Sequence, residues 1–250
     1  MGEKTARSVR SDHTRYDAPV LLEAKGVGLY PVTEAGVDFQ VRPGEIVALA
    51  GPVGGGKEAL AMMLSGQLTP YKGKISGAND TLPTIGLVPT DRHASGYVGI
   101  LGVRENVAIG GLDLLSGTFG FIDRKKEAAH VGTLARQTNV IAASLEQAVS
   151  QLSGGNQQKV VFARALCHNP QVVVALSPTR GVDVGAKEQL YALLRDLASK
   201  GLGVVVVSDE EDEIAQLANR VVIVFEGKIV AELRGDYTMK DLILRMEGVI

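Results

Sequence analysis

The chain has 250 residues, 45% of them hydrophobic and 22% charged, with a formal net charge of −2. That length holds one large domain, or one with a subdomain, and the apolar content is ample for its core. The near-neutral charge argues against a nucleic-acid partner. The single cysteine, Cys167, excludes an intrachain disulfide and fits a buried small hydrophobe in a reducing compartment, and no apolar run approaches the roughly 18–20 residues of a membrane span.

Residues 1–17 mix charges with Ser and Thr, lack the apolar centre of a signal peptide, and predict a disordered or tag-like tail. Val20–Ala24 and Val37–Val41 read as short strands of an antiparallel edge, with Tyr30 between them. Glu45–Ala50 is an apolar strand pattern. It runs into Gly51, Pro52, Val53, Gly54, Gly55, Gly56, Lys57 and Glu58, and Ala59–Leu64 continues with helical spacing. Strand, glycine loop, lysine and helix is the context a phosphate-binding loop requires. The glycines let backbone N–H groups point inward at phosphates, and Lys57 supplies a point charge. The next position normally carries a Ser or Thr hydroxyl for Mg²⁺; here it is Glu58. An ionised carboxylate repels a triphosphate by roughly 4 kcal/mol at about 4 Å for an effective dielectric near 20, unless a bound metal reverses the sign.

Gly66–Gly77 is loop-rich, with turn residues Pro70 and Gly73. Thr84–Val88 is a strand pattern, followed by Pro89, Thr90, Asp91, Arg92 and His93. Gly110–Gly120 reads as a flexible connection and Arg124–Thr138 as an amphipathic surface helix (Ala128, Val131, Leu134, Ala135). Leu152–Val160 then reads Leu-Ser-Gly-Gly-Asn-Gln-Gln-Lys-Val and opens an apolar helical pattern of Val160, Val161, Ala163 and Leu166. A tight backbone at a helix N-terminus, with the Ser153 hydroxyl and bare N–H groups facing one way, makes an anion site. A plain loop with an N-cap is the alternative. Val172–Leu176 is a buried parallel strand, Lys187–Ser199 an amphipathic helix closed by Gly201, and Val204–Val207 a second buried strand that ends in Ser208-Asp209. The acidic run Glu210–Glu213 reads as a solvated helix N-terminus. Val221–Phe225 and Ile229–Leu233 form a hairpin, and Met239–Met246 a last short helix. The alternation predicts an α/β domain with a mostly parallel sheet.

Over roughly residues 20–247, and in the same motif order, the chain resembles the ATP-binding cassette (ABC) ATPases. Leu152–Arg164 resembles their signature, in the Asn-Gln-Gln form of monosaccharide and nucleoside importers, and Pro178–Ala186 resembles the segment that carries their D-loop aspartate, here Asp183. Pro89–His93 resembles the Val-Pro-Glu-Asp-Arg tract of the Q-loop in the second ATPase half of such importers, and Val103–Asn106 resembles a family helix start. The resemblance implies an α/β P-loop NTPase fold of the ABC type: a mostly parallel core sheet, an antiparallel β edge, and a helical subdomain at about 92–168 inserted in a nucleotide-binding domain over 18–250. It implies ATP as cofactor, held at Gly51–Glu58, with Tyr30 stacked on adenine or simply half-buried at a strand end.

The departures fall on one side. Glu58, Thr90, Leu176, Ser177 and Asp209 stand where the family's own-site pattern has a Mg²⁺-binding hydroxyl, a Gln or Glu, the Asp-Glu of Walker B, and a histidine. Neither Leu176 nor Ser177 holds a metal or acts as a base. Ser153, Gly154, Gly155, Asn156, Gln157 and Asp183, which the family offers across a head-to-tail dimer to a partner's ATP, are kept. The resemblance therefore implies a heterodimer with a catalytically intact ABC ATPase, Mg²⁺ at the partner-derived site, and an own site with no catalytic residue and no metal ligand. It further implies transmembrane permease subunits, an extracytoplasmic solute-binding protein and no nucleic acid, at the cytoplasmic face of the membrane, with this half a separate polypeptide. The cargo is a monosaccharide or, with the Asp91–His93 run in mind, a nucleoside. Two other readings stay open: an active ATPase using Glu58 or Asp209 as a metal ligand, and a soluble ABC protein without a transporter.

Overall fold

Ile46–Ala50 is apolar throughout, and all five of its residues are buried, because the strand lies at the centre of a sheet covered on both faces. Ile46, Ala48 and Ala50 face one side; Val47 and Leu49 face the other. In this computed structural model residues 12–31, 36–235 and 237–246 are described. Of the tail expected over 1–17, residues 1–11 lie outside the described residues. At Arg15 the backbone N–H donates to Pro43 O at 2.9 Å.

In chain order the elements are β1 (Leu22–Val27), β2 (Val37–Val41), β3 (Ile46–Ala50), α1 (Lys57–Leu64), β4 (Lys74–Gly77), β5 (Ile85–Val88), α2 (Val103–Ala108), α3 (Leu112–Leu115), α4 (Arg124–Gln137), α5 (Gly154–Leu166), β6 (Val172–Leu176), α6 (Val184–Ser199), β7 (Gly203–Val207), α7 (Glu211–Leu217), β8 (Arg220–Phe225), β9 (Lys228–Arg234) and α8 (Met239–Met246). The six-stranded sheet has the order β5-β6-β7-β3-β8-β9. It is parallel except for the β8–β9 hairpin. A separate antiparallel sheet, β2-β1-β4, forms the edge layer. The α/β architecture with a mostly parallel core sheet and an antiparallel β edge is thus the observed one.

Two faces of the core sheet carry different cargo. Val47, Leu49, Val174 and Val205 pack with α1 and the antiparallel sheet, through Leu60, Leu64, Leu22 and Phe39. Val173, Ala175, Val204 and Val206 pack against α5 and α6, whose Phe162, Leu190 and Leu194 continue into the helices between β5 and β6. Cys167 is fully buried, and burial pushes its thiol up to about 11, which leaves it inert. Among the described residues no helix is long and apolar enough to cross a membrane.

Two stretches differ from expectation. Lys74–Gly77 lies in the stretch read as loop, yet pairs with β1 from Lys25 to Leu22. Four residues reading Lys-Ile-Ser-Gly are too short to show a strand's alternation, and β1 supplies the pairing. Gly110–Gly120, expected as a flexible connection, contains α3 flanked by 3₁₀ turns, with Ser116 bridged to Ile122.

Candidate functional site

The loop after β3 is shaped by a close approach. Gly51 has φ 130°, and a Cβ there would lie 2.2 Å from Val224 O on β8, so only glycine lets the chain turn off the sheet at this point. Gly56 caps α1 without a side-chain acceptor, so the N–H groups of the first turn face the loop uncapped and suit an anion. Tyr30 Oη donates to Gly54 O at 2.8 Å, which holds the ring beside the loop while its edge packs on the core. Val53 at the loop tip is 85% exposed.

Lys57 is completely buried and its ammonium is encircled. Nζ donates to Gly51 O at 2.7 Å and Pro52 O at 3.2 Å, and pairs with Asp209 Oδ1 at 2.8 Å and Glu58 Oε1 at 3.3 Å. The sequence-predicted degenerate positions converge here with one exception. Glu58, Thr90, Ser177 and Asp209 line a single cleft of about 470 Å³, next to Val53, Arg180 and Glu213. Leu176 does not reach it: the residue is 4% exposed and packs in the core beside Val174 and Val207. Ser177 turns into the cleft with a left-handed backbone, φ 46°, fixed by its N–H donating to Val207 O at 2.7 Å.

The donor set fits phosphate and does not fit a divalent cation. Uncapped N–H groups and the loop lysine suit the first. For the second, the Glu58 and Asp209 carboxylates are hard oxygen donors but both turn to the Lys57 ammonium, and Leu176 has no lone pair. No group of three His, Cys, Asp or Glu able to hold a metal occurs among the described residues.

Glu213 lines the same cleft, which its sequence context concealed. The acidic run Glu210–Glu213 reads as solvated, but Glu213 is 1% exposed and accepts from Thr179 Oγ1 at 2.7 Å. Burial raises its carboxyl above the usual range, against the lowering pull of the Ser208 and Thr179 hydroxyls. The protonated form is the one the fold favours. Its stabilising contribution is therefore full below the ordinary carboxylate pKa and is lost as pH rises through the elevated one. Thermal unfolding of Glu213→Gln across pH is expected to show a shallower decline than the parent within that window, between the ordinary and the raised value; superimposable profiles would show that Glu213 titrates as a solvated group.

The second cluster is built on α5 and α6. Ser153 caps α5, its Oγ accepting from Asn156 N at 3.4 Å and Asn156 Nδ2 at 3.1 Å. Asp183 caps α6, accepting from Ala186 N at 2.9 Å. Gly155 brings the two helices together: a Cβ there would meet Ala186 Cβ at 2.7 Å. Ser153 is exposed, whereas Gln157 is 7% exposed and turned inward, its amide donating to Leu152 O at 3.1 Å. Within this chain Gln157 shapes the loop before α5 and Ser153 faces out. Buried Lys159, its pKa lowered by burial, ties α5 to Asn139 O and Gln189.

Arg92 joins the clusters. Its guanidinium donates to Arg180 O at 2.9 Å, Gly181 O at 3.2 Å and Gln157 Oε1 at 3.4 Å. One side chain thus spans the tract after β5, the turn before Asp183 and the start of α5. The sequence pointed to Arg92 only as part of a motif, since its partners are 65 to 89 residues away.

A family model described as "ABC transporter" matches residues 35–180. "Ribose import ATP-binding protein RbsA 2" of Rubrobacter xylanophilus is 36% identical, the alignment covering 96% of this chain and 48% of that protein. "Xylose import ATP-binding protein XylG" of Yersinia pseudotuberculosis is 36% identical, covering 79% and 41%. The chain spans about half the length of the curated relatives it matches. Among solved structures, a nucleotide-free ATP-binding cassette from an ABC transporter superposes with TM-score 0.76 at 21% identity, covering 90% of this chain and 95% of that one. A dimeric cassette in a post-hydrolysis state bound to ADP and Pi superposes with TM-score 0.72 at 24% identity, covering 86% and 98%.

Proposed function

From the premise that this chain belongs to the ABC transporter family, we propose that it is an ATP-binding half of a solute importer whose own site does not turn over. In this reading Ser153–Gln157 and Asp183 complete the ATP site of a partner cassette with intact Walker residues, which supplies Mg²⁺ and the catalytic base. The cargo is a small polar solute, a monosaccharide by the ribose and xylose relatives and a nucleoside as the alternative. Permease subunits and an extracytoplasmic binding protein choose it, and the chain works at the cytoplasmic face of the membrane.

The observation that carries the reading is the cleft around Lys57. Ser177 stands where a general base would poise water, and the lysine that would meet the phosphates already pairs with Asp209 and Glu58. A hydroxyl that is neither basic nor long cannot activate water, and loss of a general base costs about 10²–10⁴ in rate. The residues of this chain that remain useful position: the α1 N-terminus binds phosphate beside a Lys57 already paired with carboxylates, and the α5 N-terminus is offered outward.

The test is phosphate release by the purified chain alone, by the intact partner cassette alone, and by the two together with their permease. Turnover is expected only with the partner, and at least about 10²-fold above this chain alone. Robust turnover by this chain alone overturns the proposal. If that turnover is metal-dependent and lost in Glu58→Gln, it establishes instead an active ATPase with unorthodox ligands.

A further inference from the structure

Lys57 has three ammonium protons and is completely buried. Two of its contacts, Gly51 O and Pro52 O, belong to the loop itself. The direction left over is filled by Asp209 Oδ1 at 2.8 Å, with Glu58 Oε1 at 3.3 Å beside it. In a phosphate-binding loop that direction points at the β- and γ-phosphates. We propose that the Asp209 carboxylate occupies the place of the γ-phosphate, so that the Lys57 site takes a nucleoside diphosphate in preference to a triphosphate and holds it without a divalent cation. The inference rests on the reading that this loop binds nucleotide and does not hydrolyse it.

Asp209 is presented, not trapped. Its side chain is 59% exposed on the cleft, so a ligand can reach it. The turn that carries it is fixed: Glu210 N donates to Ser208 Oγ at 3.0 Å, Ser208 is 2% exposed, and Glu210 pairs with Lys187 on α6. The carboxylate therefore meets Lys57 without any ligand to organise it. A diphosphate can lie on the uncapped N–H groups at the start of α1 and leave the Asp209–Lys57 pair in place. A triphosphate must displace Asp209 from the lysine and then sit against two carboxylates with one ammonium between them, a local charge of like sign. Mg²⁺ relieves this only by drawing Glu58 and Asp209 off the Lys57 ammonium they already pair with, and Leu176, buried in the core, offers it no ligand.

Calorimetric titration of the full chain with ADP and with a non-hydrolysable ATP analogue, each in EDTA and in Mg²⁺, tests the proposal. The parent is expected to bind ADP at least tenfold more tightly than the analogue, with no gain from Mg²⁺. Asp209→Asn is isosteric and uncharged, and is expected to tighten the analogue at least tenfold while changing ADP less than threefold; Asp209→Ala should do the same. Equal affinities in the parent, a triphosphate preference, or a change common to both nucleotides in the two variants overturns it. So does the absence of binding by either nucleotide. Phosphate release from ATP, followed in parallel samples, separates the two ideas: turnover at this site sinks the non-hydrolysing reading, whereas the diphosphate preference stands or falls on the titrations alone.

Discussion

Ser153→Arg in this chain is expected to lower the ATPase rate of the assembled transporter by about 10²–10³-fold, the cost of losing a preorganised group where charge develops. Ser153 is exposed at the start of α5, next to the close Gly155–Ala186 approach that aligns this helix end with that of α6. The arginine places a long cationic side chain where a small hydroxyl faces outward. Inside the chain it removes one cap, worth about 1 kcal/mol, so melting temperature and nucleotide binding at Lys57 should hardly move. Ser153→Ala should give a smaller loss, since the helix N-terminus survives. Comparing these variants in the complex and alone separates the two roles. A normal rate for Ser153→Arg in the complex would show that the α5 face is not used on a partner's nucleotide.

The second large effect is on stability. Glu45→Ala is expected to destabilise the chain by about 3–5 kcal/mol, because it removes the closest carboxylate from a buried guanidinium and leaves it only the longer Glu232 contact. Arg220 Nε meets Glu45 Oε1 at 2.6 Å, both side chains being less than a tenth exposed (7% and 6%). The same guanidinium lies over the Phe39 ring at 5.3 Å, donates to Gln40 O and reaches Glu232 at 3.4 Å. It therefore joins β2, β8, β9 and the residue before β3. The consequence reaches the site, since β3 and β8 run side by side from Val47–Arg220 to Ala50–Ile223, and Gly51 turns against Val224. For a chain of this size the loss corresponds to roughly 6–20 °C in Tm. Glu45→Gln keeps an acceptor for the guanidinium and should cost less. Replacing both partners by Met should come close to neutral, as buried pairs exchanged for apolar side chains often do. A Glu45→Ala protein that melts within about 2 °C of the parent would show that solvent already screens the pair.

Local pattern was enough for much of this. Continuous apolar runs mark β3, β6 and β7 because both faces of those strands are covered, and the period of α4 and α6 marks their buried stripes. The glycine loop before Lys57 and the Ser-Gly-Gly before α5 are read from neighbours within ten positions, since a tight turn at a helix start needs small residues next to each other. The replacements at Glu58, Thr90, Leu176, Ser177 and Asp209 are visible for the same reason: each lies in or within two positions of a recognisable tract.

What the spacing alone left open depends on residues distant in the chain. That Ser177 faces the cleft while Leu176 enters the core follows from the left-handed turn at the end of β6. That Glu213 is buried although it follows four other acidic residues depends on Thr179, 34 positions earlier. β4 exists because β1 offers it an edge. Above all, Asp209 reaches Lys57 because β7 and β3 are neighbours in the parallel sheet, so the chain ends leaving them open onto the same cleft. The sequence by itself determined the order of elements, the phosphate loop and which chemical groups were missing from it. Only the tertiary structure decided which groups took their places, because a contact across three crossover connections is set by sheet order and leaves no period in the chain.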